Sequence, residues 1–322
     1  MFQIENIEDE NRRLDKYLSE ILDVSRNQIE HLIKDENVKI DSVTVSKRSH
    51  KIHIGNIVEI EFPDKREVKS EYDVDFNIPV IYEDDYLMVI NKPANIVVHP
   101  APSVREATVV DWLKKRGVSL STINGDERHG IVHRLDRGTT GAMIIAKDNE
   151  THKLLSSQLE DRTMGRYYVA ISDLPLKDDI VVEANLGRNR KNRLKMAVVE
   201  DGRYAKTLFK KYKLSKDEKQ EILFCKLFTG RTHQIRVHLE TLKRHIIGDD
   251  LYGFKSKKGK IDNILLHAHT IYFRHPATGE YLHIEAQINE AMLNYIDKKF
   301  LLELENEKIK NLHSFFNSNN NS

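Results

Sequence analysis

One stretch constrains this chain more than any other: residues 130–147, which read GIVHRLDRGTTGAMIIAK. A short apolar start leads into a polar turn flanked by glycines, and a β-prone run follows at residues 142–146. The glycines allow positive φ angles and close approach of other backbone. Asp136 stands at this strand-to-turn junction between Arg134 and Arg137, whose guanidinium groups would favour its ionised form. The pattern predicts a carboxylate prepared to act as an anion or nucleophile.

The composition is typical of a soluble globular protein. The chain has 322 residues, enough for two domains, and is 39% hydrophobic and 31% charged. No run approaches the ~18 apolar residues of a membrane span, and the first residues lack the pattern of a secretory signal. A single cysteine, Cys225, excludes a framework of internal disulfides and is expected in the core. These features predict a cytoplasmic protein without a membrane segment.

The charge is unevenly distributed along the chain. The net charge is only +1, which argues against strong nonspecific binding of nucleic acid. Residues 1–64 hold nine Lys and Arg against fourteen Asp and Glu, whereas residues 186–216 hold eleven against two. A basic cluster of this density is what contact with phosphates requires. The alternative is a solvated loop, and we favour RNA contact.

The first 64 residues are predicted to form a small α/β module. Helical periodicity covers residues 12–23, and Ser25 is a plausible N-cap for a second helix before several short β-prone runs. Two helices followed by a small hairpin sheet resemble an S4 RNA-binding domain, and Arg12 and Arg26 stand where such modules present basic side chains. The alternative is a module that only packs against its neighbour.

Further elements are predicted along the rest of the chain from periodicity and capping signals. A charged linker is expected at residues 65–75, and Thr108 is expected to cap a helix that extends through Arg116. Further helices are predicted at residues 149–161 and from Arg231, and strands at residues 86–91, 96–99, 166–171 and 221–228.

Several motifs resemble those of the RluA-type pseudouridine synthases, in the same order and spacing. The HRLD and TTG segments of residues 130–147 match the catalytic motif, and VINKPANIVVHP (89–100) matches the opening motif. Downstream matches are RYYVA (166–170), FTGRTHQIRVHLETL (228–242), GDDLYG (248–253) and LLHAHTIYFRHPATG (265–279). The resemblance covers nearly the whole chain.

The resemblance implies an α+β fold with a bent, mixed, mostly antiparallel sheet flanked by helices, preceded by the small S4-like domain. The catalytic domain would span residues 76–300, and a helix and a disordered tail would occupy residues 301–322. The implied reaction isomerises uridine in RNA to pseudouridine, without a cofactor. S4-bearing members act mainly on large-subunit ribosomal RNA, so we expect 23S rRNA or a pre-50S particle as partner, and a monomer.

The resemblance also implies roles for individual residues. Asp136 would act on the sugar or base, by attack at C6 or C1′ or by removal of the C2′ proton. Tyr168 would stack on the uracil and offer a hydroxyl, and Arg236 is the candidate salt-bridge partner of Asp136, since a guanidinium can grip a carboxylate bidentately. Candidate RNA contacts are His133, Arg134, Thr140, Arg231, His233, Arg188, Arg190, Lys191, Arg193, Arg12 and Arg26.

Three alternatives stay open. The chain could be an RNA-binding ribosome assembly factor in which catalysis is dispensable, or a synthase that modifies tRNA. It could also be a metal-dependent RNA hydrolase that uses its many histidines. No metal site is expected, however, because the chain lacks an H-E-x-x-H motif and a single cysteine cannot build a thiolate zinc site.

Overall fold

The structure is a computed structural model that describes residues 2–5, 7–22, 26–61, 72–101, 103–118, 120–121, 130–254, 261 and 263–300. The chain divides into two compact units. The first comprises residues 1–73 and 99–131, and the second comprises residues 74–98 and 132–322. Residues 99–131, which the sequence assigned to the catalytic domain, therefore group with the first unit. Most of the predicted linker, the Ser25 cap and the predicted tail lie outside the described residues.

The first unit combines three helices with short strands. Its helices are α1 (Leu14–Ile21), α2 (Arg26–Lys34) and α3 (Val109–Lys115), and its strands are β1 (Phe2–Ile4), β2 (Arg12–Arg13), β3 (Val38–Ile40), β4 (Val43–Thr44), β5 (Lys51–Ile52) and β6 (Val58–Ile60). Four strands form a sheet in the order β1-β6-β3-β4, and β2 pairs with β5. Apolar side chains of α1, α2 and these strands share one core. Thr108 caps α3 in a capping box with Asp111, as its sequence predicted.

The second unit is built on one large sheet. Its strands are β7 (Val80–Glu83), β8 (Leu87–Lys92), β9 (Thr140–Ala146), β10 (Gly165–Ser172), β11 (Ile180–Arg188), β12 (Met196–Val198), β13 (Arg203–Leu214), β14 (Glu221–Leu227), β15 (Leu266–Arg274) and β16 (Tyr281–Glu285). The order is β12-β11-β13-β14-β10-β15-β9-β8-β7, and β16 also pairs with β15. All pairs are antiparallel except β9 with β15, which confirms the predicted mixed, mostly antiparallel α+β architecture.

Within the described residues of this unit, three helices flank the sheet: α4 (Asn149–Glu160), α5 (Gln234–Thr241) and α6 (Glu290–Lys299). Leu155 of α4 packs on a core that includes Ile144 of β9 and Ile271 of β15. Met292 of α6 packs with side chains of the other face of the sheet, such as Val169 of β10. The layers therefore place helices on both faces of one sheet.

The predicted strand at residues 96–99 is wrong: after a turn at residues 94–95 the chain is irregular, with a bend at residues 98–99. The backbone carbonyl of Ile96 accepts a hydrogen bond from the Lys92 ammonium, at 3.0 Å. A side chain therefore satisfies a carbonyl that a strand would have paired with a neighbouring strand. Among the described residues, no helix is long and apolar enough to cross a bilayer.

Candidate active site

The loop that carries Asp136 is held against the sheet by buried side chains. His133 is buried, and its Nε2 accepts a hydrogen bond from the backbone N–H of Ile144 in β9, at 3.2 Å. Within the loop the Thr139 N–H donates to the Asp136 carbonyl, at 3.1 Å. At the start of β9, Gly141 has φ +114°, and a Cβ there would lie 2.2 Å from the Ala268 carbonyl oxygen of β15. Only glycine permits β9 and β15 to approach so closely beside the loop that carries Asp136.

Arg236 lies between two carboxylates and fixes Asp136. Its Nη1 donates to Oδ2 of Asp136 at 3.1 Å, while Nε and Nη2 form a bidentate pair with Asp249 at 2.7 and 2.9 Å. Burial alone would lower the pKa of Arg236, but Asp249 and Asp136 outweigh it and raise this pKa. The predicted pairing with Asp136 is present, but the bidentate partner is Asp249. The sequence analysis had expected the bidentate contact of Arg236 at Asp136, and this expectation is wrong.

One oxygen of Asp136 stays open for chemistry. The side chain is 17% exposed, and among the described residues no group hydrogen-bonds to its Oδ1. The Nε2 of His233 lies 3.9 Å from Oδ2, on the same side as Arg236. Arg134 and Arg137, the sequence neighbours expected to hold the carboxylate, are exposed. Arg236, a hundred residues away in sequence, donates the hydrogen bond instead.

Tyr252 links Arg236 and His233 to the basic hairpin between β11 and β12. The guanidinium carbon of Arg236 lies 4.8 Å from the centre of its ring, and the Lys195 ammonium lies 5.2 Å from it. The Tyr252 hydroxyl accepts a hydrogen bond from the N–H of Met196 at 2.8 Å and lies 2.8 Å from Nδ1 of His233. The base of the basic hairpin is thereby anchored to the side chains that surround Asp136.

Lys92 is fully buried next to the loop that carries Asp136. Its ammonium donates to the carbonyls of Pro93, Ile96 and Arg137, at 2.7, 3.0 and 3.2 Å. Burial lowers the pKa of Lys92 to about 7, while the nearby Asp136 carboxylate opposes this change. The ammonium therefore ties the segment after β8 to the residue that follows Asp136.

Tyr168 lies on β10 beside Asp136. Burial, together with the Asp136 charge, raises the pKa of this phenol, although Arg166 acts in the opposite direction. Its hydroxyl has no hydrogen-bond partner in the part of the chain that the structure describes. The neighbouring Arg166 is also buried, and its guanidinium lies against Gly230. Asp136, Tyr168 and Arg236, the three residues predicted to be catalytic, are thus brought to one site.

Thr140 belongs to a layer beneath the site. Its hydroxyl lies 2.8 Å from Nδ1 of His267 and accepts a hydrogen bond from the Asn289 amide at 3.0 Å. Because Thr140 and His133 are both engaged inside the protein, their positions are those of supports for the loop. A direct contact of either side chain with RNA stays a prediction.

The other residues predicted to bind RNA are spread over both units. Arg188, Arg190, Lys191 and Arg193 are exposed on and after β11, and Arg231 donates to the Tyr204 carbonyl at 3.0 Å. In the first unit, Arg12 pairs with Asp9 and Glu20, and Arg26 pairs with Asp15. Burial alone would raise the pKa of Asp15, but Arg13 and Arg26 lower it to about 2. The charges of Arg12 and Arg26 are therefore offset within the first unit.

Lys92, Asp249 and Tyr252 are site residues that the sequence did not assign. Each lies in a quoted motif, NKP or GDDLYG, but no role followed from the motif. A lysine that ends an otherwise apolar strand was the available signal for Lys92. Across the described ranges, no three His, Cys, Asp or Glu side chains converge in a way that could hold a metal ion.

We expect Tyr252→Phe to lower kcat/KM about tenfold. The variant keeps the ring between Lys195 and Arg236 but loses the hydroxyl contacts with Met196 and His233, and a hydrogen bond of this kind contributes about 0.5–1.5 kcal/mol. The measurement follows the reaction that the sequence resemblance implies, as the rate of tritium release from RNA labelled at uridine C5. Tyr295→Phe is the matched control, because its hydroxyl bonds to Gln220 elsewhere in the unit. Equal rates for both variants would contradict the role given to Tyr252.

We expect the protein to lose stability as the pH falls from about 6.5 towards 4. Burial lowers the pKa of five histidines to about 3 or 4: His133, His152, His238, His267 and His269. Their folded pKa values lie below the ordinary value, so the unfolded chain binds protons first and the stabilisation present above pH 6.5 is lost on acidification. Each unit of pKa difference corresponds to about 1.4 kcal/mol.

The measurement for this expectation is the thermal unfolding temperature by circular dichroism between pH 7 and 4. His50→Gln, at an exposed position, should leave the pH dependence unchanged. An unfolding temperature that stayed constant down to pH 4 would contradict a folded state with these histidines buried and neutral.

Comparisons with known proteins define the class of the molecule. The structure is similar to that of human RNA Pseudouridylate Synthase Domain Containing 1, with a TM-score of 0.58 at 19% identity, over 75% of this chain and 98% of that one. A likeness at this identity shows the fold, and the fold is that of a pseudouridylate synthase. Residues 86–241 match the family model described as RNA pseudouridylate synthase.

Sequence relatives are more similar and cover most of the chain. An uncharacterized RNA pseudouridine synthase of Helicobacter pylori (strain J99) is 43% identical over 94% of this chain and 96% of that protein. The ribosomal large subunit pseudouridine synthase D of Xanthomonas campestris is 36% identical over 87% of this chain and 86% of that protein. The chain belongs to the RNA pseudouridine synthase family, in its RluA-type branch, and is an isomerase that acts on RNA.

Proposed function

We propose that this enzyme isomerises specific uridines of 23S rRNA to pseudouridine, with Asp136 as the catalytic carboxylate. The observation that carries the proposal is the arrangement of the Asp136 carboxylate. One oxygen is fixed by Arg236, which Asp249 holds in place, and no group of the described residues hydrogen-bonds to the other. A carboxylate fixed in this way is suited to act on the sugar or base of a bound nucleotide.

The reaction moves one bond from nitrogen to carbon. The C1′–N1 glycosidic bond breaks, the uracil turns while it stays bound, and C5 joins C1′, after which the C5 proton is released and N1 is left with a proton. Asp136 would act in the step that breaks the glycosidic bond. Tyr168 would stack on the uracil. No group of the described residues hydrogen-bonds to its hydroxyl, which is available for a hydrogen bond or proton transfer to the base.

The target uridine must leave its base stack before Asp136 can reach it, at a cost of a few kcal/mol. Arg134 is exposed and directly precedes Leu135 and Asp136, so it stands where it can fill the vacated space or bind an adjacent phosphate. The exposed cations of the β11–β12 hairpin would bind phosphates nearby, and Tyr252 anchors the base of this hairpin beside Arg236.

The choice of 23S rRNA is supported by the relatives. Three of them are named ribosomal large subunit pseudouridine synthase D, at 33–36% identity over 87% of this chain. A large substrate also suits the additional first unit, which we propose as an S4-like RNA-binding module. The enzyme would act in the cytoplasm as a monomer, on 23S rRNA or a pre-50S particle.

The test is tritium release from 23S rRNA labelled with [5-³H]uridine, with a labelled tRNA pool in parallel. Native protein and Asp136→Asn are compared with and without EDTA. We expect release from 23S rRNA by the native protein only, unchanged by EDTA. Release from tRNA but not from 23S rRNA would contradict the proposed substrate, and release by Asp136→Asn would contradict the proposed carboxylate. Loss of activity with EDTA would favour a metal-dependent reaction.

A further inference from the structure

The large sheet has a second face, opposite the one on which Asp136 lies. Successive side chains of a strand point to opposite faces. Tyr168 of β10 lies near Asp136, so its neighbour Tyr167 points to the other face. The helix α6 packs on this opposite face through Met292 and Ile296, in one buried cluster with Tyr167 and Tyr272. The end of the face around these two tyrosines carries further aromatic side chains and basic ones.

Aromatic rings follow one another across neighbouring strands at this end. Tyr167 and Tyr272 have ring centres 5.3 Å apart, and Tyr272 lies 5.9 Å from Tyr281 and 5.6 Å from His283. Tyr281 and His283 are 4.9 Å apart. With Phe228 beyond the end of β14, we call these five rings the aromatic ridge. It crosses β16, β15, β10 and β14, which at about 4.8 Å per strand amounts to roughly 15 Å.

A glycine makes room for the centre of the aromatic ridge. Gly165 of β10 is the register partner of Tyr272 in β15. A Cβ at Gly165 would lie 2.1 Å from the Tyr272 ring, so only glycine lets this ring approach the backbone of β10 so closely. Tyr272 thereby packs beside Tyr167. Tyr281 is 44% exposed, and His283 is also exposed, so two rings present surface to solvent.

Lysines lie among these rings. The Lys226 ammonium is 5.7 Å from the centre of Tyr167 and 5.3 Å from that of Phe228, and the Lys206 ammonium is 5.5 Å from Phe228. Lys206 also pairs with Glu183 at 2.7 Å. No carboxylate of the described residues pairs with Lys226. Burial, with the nearby positive charge of Lys210, lowers the pKa of Lys226, and a phosphate beside it would relieve this unfavourable environment.

Two exposed rings, Tyr281 and His283, lie next to the buried Tyr272, and Lys226 lies farther along the same row between Tyr167 and Phe228. Exposed rings on a sheet with a cation in the same row fit single-stranded nucleic acid. Bases stack on aromatic rings whatever their sequence, while cations neutralise the phosphates that connect them. We propose that the aromatic ridge binds a single-stranded segment of the RNA substrate, on the face of the sheet opposite the active site. This inference rests on the proposed function for the identity of the RNA, but the binding itself does not require catalysis.

The test uses fluorescein-labelled oligoadenylate of about 12 nucleotides. It contains no uridine, so it offers the active site no substrate base, yet adenines stack well. We expect Tyr281→Ala to weaken binding about tenfold, since stacking on one ring contributes about 1–3 kcal/mol and 1.4 kcal/mol is tenfold. Tyr281→Phe should bind as the native protein does. Lys226→Gln should weaken binding and reduce its dependence on salt.

Tyr86→Ala is the matched control, because Tyr86 has the same 44% exposure and also contacts a histidine, His275, but lies outside the aromatic ridge. It should bind oligoadenylate normally. On 23S rRNA, Tyr281→Ala should raise KM with kcat unchanged. Equal oligoadenylate affinity for native protein, Tyr281→Ala and Tyr86→Ala would overturn the inference. The aromatic ridge would then be a candidate surface for binding a protein.

The two proposals can fail separately. Asp136→Asn should bind oligoadenylate with native affinity, because Asp136 lies on the other face. An oligoadenylate affinity that depends on Tyr281, in a protein inactive on 23S rRNA, would support the aromatic ridge and overturn the proposed substrate. Activity on 23S rRNA with no effect of Tyr281→Ala on KM or on oligoadenylate affinity would support the proposed substrate and overturn the role of the aromatic ridge.

Discussion

Asp136→Asn should lower the rate of pseudouridine formation by about 10⁴-fold or more, to the background of the assay. Each possible role of the side chain, attack at C6, attack at C1′ or removal of the C2′ proton, requires a carboxylate electron pair that an amide lacks. The substitution preserves size, and Arg236 keeps its bidentate partner Asp249. The substitution should therefore lower the rate of the chemical step and leave the fold intact.

The measurement is single-turnover tritium release from 23S rRNA, alongside thermal unfolding of each variant. Asp148→Asn is the matched control: Asp148 caps α4 by accepting from the Thr151 N–H, and asparagine caps a helix equally well. This control should keep native activity. An Asp136→Asn variant with more than about 1% of the native rate would remove Asp136 from the chemistry.

The local part of the site could be predicted from sequence because its signals are local. Glycines, a β-prone run and the HRLD segment indicated where Asp136 would stand, and the cap at Thr108 followed from its own residue type. The strand at residues 86–91 and the helix at residues 149–161 also agree with β8 and α4 within one or two residues.

The contacts that complete the site join residues far apart in the chain, and no local pattern carries them. Arg236 makes its bidentate contact with Asp249, through Nε and Nη2, rather than with Asp136. Lys92 reaches the carbonyl of Arg137, 45 residues later. Its hydrogen bond to the Ile96 carbonyl lies where a short apolar run suggested a strand and the chain is irregular. Arg134 and Arg137, adjacent in sequence to Asp136, are exposed while Arg236 binds it.

Arg236→Lys should lower kcat about 10²- to 10³-fold although the charge is kept. The guanidinium makes three directed contacts, two to Asp249 and one to Asp136, and both carboxylates are largely buried. A lysine ammonium is a single point that cannot span both partners with this geometry. One carboxylate then lacks its partner, which should also lower the free energy of unfolding by about 1–3 kcal/mol.

Arg244→Lys separates this effect from the general cost of replacing a partly buried arginine. Arg244 also makes several hydrogen bonds, to the carbonyls of Pro175 and Leu242, but touches neither carboxylate. The Arg244→Lys variant should lose about as much stability as Arg236→Lys and keep the native kcat. Asp249→Asn should lower kcat while Arg236 is retained, and the double variant Arg236→Lys with Asp249→Asn should lose less than the product of the two single losses, because both act through the position of Asp136. Multiplicative losses would show instead that Asp249 acts independently of Arg236.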